Sequence, residues 1–74
     1  MKKSFYEVIF EVTETCQNGN ERRIRKSAFM PHVDENGKHL DTHRRIERGS
    51  AALKAEHYYN IVYIETKTKY LIFA

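Results

Sequence analysis

Phe5-Tyr6-Glu7-Val8-Ile9-Phe10-Glu11-Val12-Thr13-Glu14-Thr15, followed by Gln17-Asn18-Gly19-Asn20, is the stretch that decides the fold. Tyr6, Val8, Phe10 and Val12 fall on one side of an extended chain, and Glu7, Ile9, Glu11 and Thr13 on the other. This period of two marks a half-buried strand. The Asn-Gly pair tolerates positive φ and signals a tight hairpin turn, so a second strand runs back beside the first. Glu21 to Met30 supplies it, with Ile24, Ala28 and Phe29 among Arg22, Arg23, Arg25, Lys26 and Ser27. That composition is too polar for the middle of a sheet and suits an exposed strand whose charges discourage pairing between molecules. Pairing across the turn brings its cations near Glu11 and Glu14, so part of the basic charge is neutralised internally, each exposed pair contributing about 0–1 kcal/mol.

Pro31 ends the second strand, and Val33-Asp34-Glu35-Asn36-Gly37-Lys38 reads as a loop built on a turn at Asn36-Gly37. Asp41 or Thr42 caps the only helix-compatible stretch, near residues 42 to 57, with Ile46, Leu53 and His57 on one face and Arg44, Arg48, Ala51 and Ala55 opposite. Gly49 lies inside it at a cost of about 1 kcal/mol relative to Ala. The alternative is a break there, with Ser50 capping a shorter helix over Ala51 to His57. Tyr58 to Thr66 and Lys69 to Ala74 are rich in aromatic and β-branched residues and read as a second hairpin turning at Thr66-Lys67-Thr68. The expectation is an α+β fold: a small four-stranded antiparallel sheet with one helix, in the order strand, strand, helix, strand, strand. The helix covers one face of the sheet. The open face carries some of Phe5, Ile9, Tyr58, Val62, Ile64 and Tyr70.

A chain of 74 residues is expected to form a single domain, 1–74. At this size only about 60% of the unfolded surface is buried, so self-association as a homodimer is expected to help stabilise it. One cysteine, Cys16, cannot form an internal disulfide. The basic opening Met1-Lys2-Lys3-Ser4 is followed by Glu7 and Glu11 where an export signal needs an unbroken apolar run, and no apolar run reaches the roughly 18 residues of a membrane span. These features point to the cytoplasm and to no membrane association.

All six arginines fall between residues 21 and 48, where eight cations face five carboxylates. The planar donor fork of arginine suits phosphate or carboxylate, so this clustering points to an anionic partner more strongly than the net charge of +3. The candidate binding residues are Arg22, Arg23, Arg25, Lys26, Arg44, Arg45 and Arg48, with Tyr58 and Tyr70 as aromatic contacts able to stack on bases or anchor a protein interface. Two classes of partner satisfy that chemistry: a protein or nucleoprotein complex with an acidic surface, and nucleic acid. The chain carries no RNP-type aromatic pair, no Gly-x-x-Gly loop and no helix-turn-helix pattern, which places the protein partner first.

No catalytic residue, metal ligand or cofactor is assigned. His39 and His43 are spaced i, i+4 and Cys16 or His32 could complete a tetrahedron, but no Cys-x-x-Cys pair exists, and a cap at Asp41 or Thr42 leaves His39 outside the helix. A metal-free ribonuclease could be assembled from His32 or His43, Arg44 or Arg45, and Tyr58 or Tyr70, since RNA cleavage needs proton transfer and a cation at the phosphate. Those residue types occur in most basic domains, and the expectation is a non-enzyme.

The opening strand Tyr6-Glu7-Val8-Ile9-Phe10, the small helix Ser50-Ala51-Ala52-Leu53-Lys54-Ala55 and the closing segments Ile61-Val62-Tyr63-Ile64-Glu65-Thr66 and Tyr70-Leu71-Ile72-Phe73 give a layout that resembles some small phage-encoded inhibitors, including certain anti-CRISPR proteins. The resemblance covers most of the chain without a diagnostic motif. It implies a non-enzymatic protein that blocks a host or defence complex by occupying a protein or nucleic-acid site, and it carries over no functional residue.

Overall fold

The alternating residues that open the chain form its central strand. A computed structural model describes residues 2–72, with side chains for residues 3–71. The elements run β1 (Lys2–Thr15), β2 (Glu21–Met30), α1 (Thr42–Ala55) and β3 (Tyr59–Ile72), and the sheet order is β2-β1-β3 with both neighbours antiparallel to β1. The first turn forms as its Asn-Gly pair dictates: Gly19 takes φ +84°, its N–H donates to the Cys16 carbonyl at 2.9 Å, and Asn20 N–H donates to Asn18 Oδ1 at 3.0 Å.

Among the described residues the sheet has three strands, and the expected fourth is not a separate one. The segments expected to form a hairpin are one continuous strand, in which Thr66, Lys67 and Thr68 pair with Val8, Glu7 and Tyr6 of β1. The physical reason lies in the supposed turn. Thr-Lys-Thr holds no Gly, Asn, Asp or Pro to take a turn conformation, and its two β-branched residues favour extended backbone. The expected strand end at Phe73 and Ala74 lies outside the described residues. Instead of turning, β3 absorbs extra length in bulges. Ile64 is inserted between Glu65, opposite Ile9, and Tyr63, opposite Phe10, while Asn60 adopts φ +51° where the register slips again between Glu11 and Thr13.

Helix α1 lies on the even-numbered face of β1. Val8, Phe10, Val12, Ala28, Met30, Leu40 and Leu53 form the buried core, with Tyr6, Ile24, Ile46, Tyr58, Ile61 and Tyr63 packed around it. Asp41 caps the helix by accepting the Arg44 N–H at 2.9 Å. The helix runs unbroken through Gly49, and the sheet explains why a glycine stands there. A Cβ at that position would lie 2.5 Å from Cε1 of Phe10, so only Gly lets the backbone seat on that ring. His57, with φ +71°, ends the helix, and the Tyr58 N–H donates back to the Leu53 carbonyl at 3.1 Å.

Candidate protein-docking face

Alternation along β2 divides its cations between the two faces of the sheet. Arg22 and Lys26 sit on the helix side, opposite Glu14 and Phe10, whereas Arg23 and Arg25 sit on the open side, opposite Thr13 and Glu11. Arg22 is ion-paired to Glu14, whose hydrogen bond raises its pKa further. The Arg23 guanidinium donates to Glu11 Oε2 at 3.0 Å, Thr13 Oγ1 at 2.9 Å and the Asn60 carbonyl at 2.5 Å, clamping β2 to the bulge of β3 across β1. Lys26 Nζ stands 5.3 Å from the centre of the Tyr58 ring, a cation–π contact. Arg25 alone of the six arginines has no hydrogen bond or ion pair among the described residues.

The helical arginines hold the 31–41 loop. Arg44 Nη1 donates to Asp34 Oδ2 at 2.8 Å, and Asp34 Oδ1 accepts the N–H groups of Asn36 at 2.8 Å and Lys38 at 2.9 Å. The Arg44 bond first, and then these backbone donors, hold the Asp34 carboxyl down to about 2. Arg48 pairs with Glu35 at 3.2 Å. Arg45 donates to the Leu40 carbonyl at 2.7 Å and to Thr42 Oγ1 at 2.9 Å, with its guanidinium 4.6 Å from the Tyr6 ring centre. The candidate cations are thus spread over both sides of the sheet and along α1 rather than gathered into one patch, and most are engaged within the fold.

The aromatic candidates also part company. Tyr58 packs against the core, and Tyr70, opposite Ser4, is exposed on the helix side, so neither belongs to the open face. The reason for Tyr58 is that it precedes β3 and follows the helix end closely, where the core is its nearest neighbour. A cluster that no spacing in the sequence revealed gathers at Tyr6: its hydroxyl lies 2.7 Å from His39 Nε2, its ring 4.2 Å from that of His32, and His32 Nε2 lies 2.8 Å from Ser4 Oγ. These contacts pin the loop to β1. Of the residues weighed for ribonuclease chemistry, His32 and Arg45 meet at Tyr6, while His43 pairs with Glu47 at 3.4 Å on the exposed face of α1. His39 precedes the helix cap, so the i, i+4 spacing with His43 does not lie on one helix, and no group of three His, Cys, Asp or Glu side chains capable of holding a metal occurs among the described residues.

The face away from α1 has a different make-up. At one end Phe5 and Phe29 meet edge to face with ring centres 5.9 Å apart, and Leu71 lies beside them. Phe29 is 63% exposed and Leu71 51%. Lys3, Phe5, Phe29, Pro31 and Leu71 line a shallow depression of about 410 Å3 at this end. The middle of the face is polar and internally satisfied: Ser27 Oγ donates to Glu7 at 2.8 Å, Lys69 pairs with Glu7 at 3.6 Å and Lys67 with Glu65 at 3.7 Å. Two cations on this side, Lys3 and Arg25, carry no partner among the described residues. Lys3 borders the aromatic end directly, opposite Leu71, and Arg25 stands four residues along β2 from Phe29, about 13 Å at the rise of a strand. The sequence signal for this anchor was the odd-numbered apolar residue Phe5 and the one aromatic residue in the basic strand.

Comparison of the chain with protein-family models, with curated proteins and with solved structures yields no match. No helix among the described residues is long and apolar enough to cross a membrane.

Proposed function

We propose that this protein is a non-catalytic binding module that docks a partner protein on the uncovered face of its sheet and modulates or inhibits it by occupancy. One observation carries the reading: the exposed Phe29 packed edge to face on the half-buried Phe5, with Leu71 beside them, the unpaired cation Lys3 at their border and a second, Arg25, further along β2 on the same face. Interfaces draw most of their energy from a few aromatic and arginine anchors ringed by polar groups. The matching partner surface presents an apolar side chain to the aromatic end and carboxylates to Lys3 and Arg25. The inhibitor reading rests on this face, because the layout resembling small phage-encoded inhibitors loses its closing hairpin to the single strand β3. A cytoplasmic setting accompanies it, the lone Cys16 needing no oxidising compartment.

Polyanion binding is the competing reading, and the engagement of Arg22, Arg23, Arg44, Arg45 and Arg48 within the fold weighs against it. Both are tested by capture from nuclease-treated lysate with the wild-type chain beside Phe29→Asp and Arg25→Glu, followed by affinity measurement on the retained protein. Phe29→Asp is expected to weaken that protein about 30-fold or more, the range of an interface hot spot. Equal retention by Phe29→Asp overturns the proposal. So does tight binding of a single-stranded oligonucleotide that falls steeply with salt, which is the signature of phosphate contacts.

A further inference from the structure

The two edges of the sheet are guarded differently. β2 presents four cations, Arg22, Arg23, Arg25 and Lys26, against the single carboxylate Glu21 at its start, a predominantly positive edge that opposes pairing with another copy of itself. β3 presents charges of both signs, and no strand lies beyond it among the described residues. With Ile64 set aside as the bulged residue, its sequence has the same character read from either end. Val62 matches Leu71, Tyr63 matches Tyr70, Glu65 is the opposite charge to Lys69, Thr66 matches Thr68, and Lys67 stands at the centre.

From this we infer that β3 is a self-association edge: two copies of the chain pair antiparallel through β3 about a two-fold axis at Lys67. Glu65 then faces Lys69 of the second copy, Thr66 faces Thr68, Tyr63 faces Tyr70 and Val62 faces Leu71, each pair occurring twice. Register is set by which side chains share a face, and here the faces agree. Against β1, Tyr63 and Tyr70 stand opposite Phe10 and Ser4 on the helix side, whereas Val62, Leu71, Glu65 and Lys69 stand opposite Glu11, Lys3, Ile9 and Phe5 on the open side. The bulge at Ile64 is what makes this possible. Were Ile64 counted as a paired residue instead of bulged, Tyr63 on the helix side would face Leu71 on the open side, and the pairs beyond Glu65 would join opposite faces of the sheet. Val62, 54% exposed and Leu71 gain apolar neighbours, and strand addition at an open edge supplies main-chain hydrogen bonds along the whole pairing. The product is a six-stranded sheet, β2-β1-β3-β3-β1-β2, with both helices on one side and the two open faces merged on the other. The Lys67 pair at the axis is the one mismatch, and each of these lysines already has Glu65 of its own chain at 3.7 Å. This inference does not depend on the partner-docking reading, since it rests on β3 rather than on Phe29.

Sedimentation and charge substitution test it. The wild-type chain is expected to dimerise reversibly. Glu65→Lys places Lys opposite Lys69 twice, Lys69→Glu places Glu opposite Glu65 twice, and each alone is expected to weaken the dimer about tenfold or more. Mixing the two variant chains restores opposite charges at both positions, so a heterodimer is expected to form where neither variant pairs with itself. A second probe covers the case in which these variants fold poorly: Lys67→Cys in a Cys16→Ser background. A two-fold axis sets residue 67 opposite itself at about 4.5–5.5 Å between Cα atoms, within the range a disulfide spans, so mild oxidation yields a covalent dimer that Lys38→Cys in the same background does not. A wild-type chain that stays monomeric at about millimolar concentration overturns the inference. Variants that still self-associate as the wild type does, a mixture that fails to form the heterodimer, or Lys67→Cys chains that crosslink no faster than Lys38→Cys chains do so equally.

Discussion

Replacing Gly49 by Ala separates two effects of opposite sign, and the structure decides which wins. On helix propensity alone, Ala in the middle of α1 stabilises the protein by about 1 kcal/mol. The added methyl, however, would stand 2.5 Å from Cε1 and 2.6 Å from Cζ of Phe10, where carbon atoms ordinarily approach to about 3.5–4.0 Å. Phe10 is fully buried in the middle of the central strand and cannot swing into solvent, and its far side meets Tyr63 edge to face at 6.0 Å. The helix must therefore lift by about 1 Å along its contact with the sheet. Overpacking of this kind costs about 1–3 kcal/mol, and against a ring that cannot move aside it falls in the upper part of that range, about 2–3 kcal/mol, so after the propensity gain the net effect of Gly49→Ala is destabilising by about 1–2 kcal/mol. In a domain of this size that lowers Tm by about 4–16 °C. Thermal and urea unfolding followed by far-UV circular dichroism measure it. Phe10→Leu costs stability alone, but in combination with Gly49→Ala it removes the ring that meets the methyl, so the double variant is expected to be more stable than the sum of the two single effects. A Gly49→Ala protein as stable as the wild type refutes the reasoning, because propensity would then outweigh a contact that the backbone had not had to avoid.

Two further outcomes follow from the same geometry. Leu53→Ala empties the one fully apolar contact that the C-terminal half of α1 makes with the core and is expected to cost about 2–5 kcal/mol by urea denaturation, enough to bring a domain of this size near its unfolding limit. Asp34, held down to about 2 in the folded protein against a usual carboxylate value near 3.9, contributes stability that is present above about pH 4 and lost as pH falls through about 2. Asp34→Asn removes that contribution, so the difference in urea midpoint between wild type and variant is expected to be constant above about pH 5 and to shrink steadily towards pH 2. A difference that does not change with pH disproves the role given to the carboxylate.

The first hairpin was legible because its determinants are local. The alternation from Tyr6 to Val12 and the Asn18-Gly19 turn each act over a few residues, and the structure pairs Tyr6 with Met30 through Thr15 with Glu21 accordingly. The helix was legible to within two residues of its end for the same reason, with Asp41 as its cap. What escaped the sequence acts over long separations. Gly49 looked like a weakness in the helix, and its purpose is a ring 39 residues upstream in Phe10. Thr66-Lys67-Thr68 looked like a turn because two runs of apolar residues flank it and few strands reach 14 residues. Nothing local marks it as the middle of a strand except the lack of a turn-forming residue. The arginine partners Asp34 and Glu35 lie ten and thirteen positions before Arg44 and Arg48, and only the fold of the 31–41 loop reveals that those cations are occupied.

That occupation changes what the charge of the chain means. A net charge of +3 with six clustered arginines resembles the footprint of a polyanion-binding protein, yet the folded molecule turns most of those arginines inward as ties: Arg23 across the sheet, Arg44 and Arg48 from helix to loop, and Arg45 over Tyr6. A guanidinium held beside a carboxylate has its charge largely compensated within the fold, so it presents less positive potential to a phosphate and adds less to affinity for nucleic acid than a free arginine would. With only eight buried apolar side chains among the described residues, the protein relies on these ties to hold the loop and helix in place. The charges of β2 serve a further purpose that demands no ligand, since a strand edge with four cations against one carboxylate resists adding a second copy. β3 lacks that protection and carries in its place a sequence symmetric about Lys67. The distribution of charge therefore separates one edge closed to pairing from one edge open to it, and leaves the aromatic end of the open face as the part of the surface least accounted for by the fold itself.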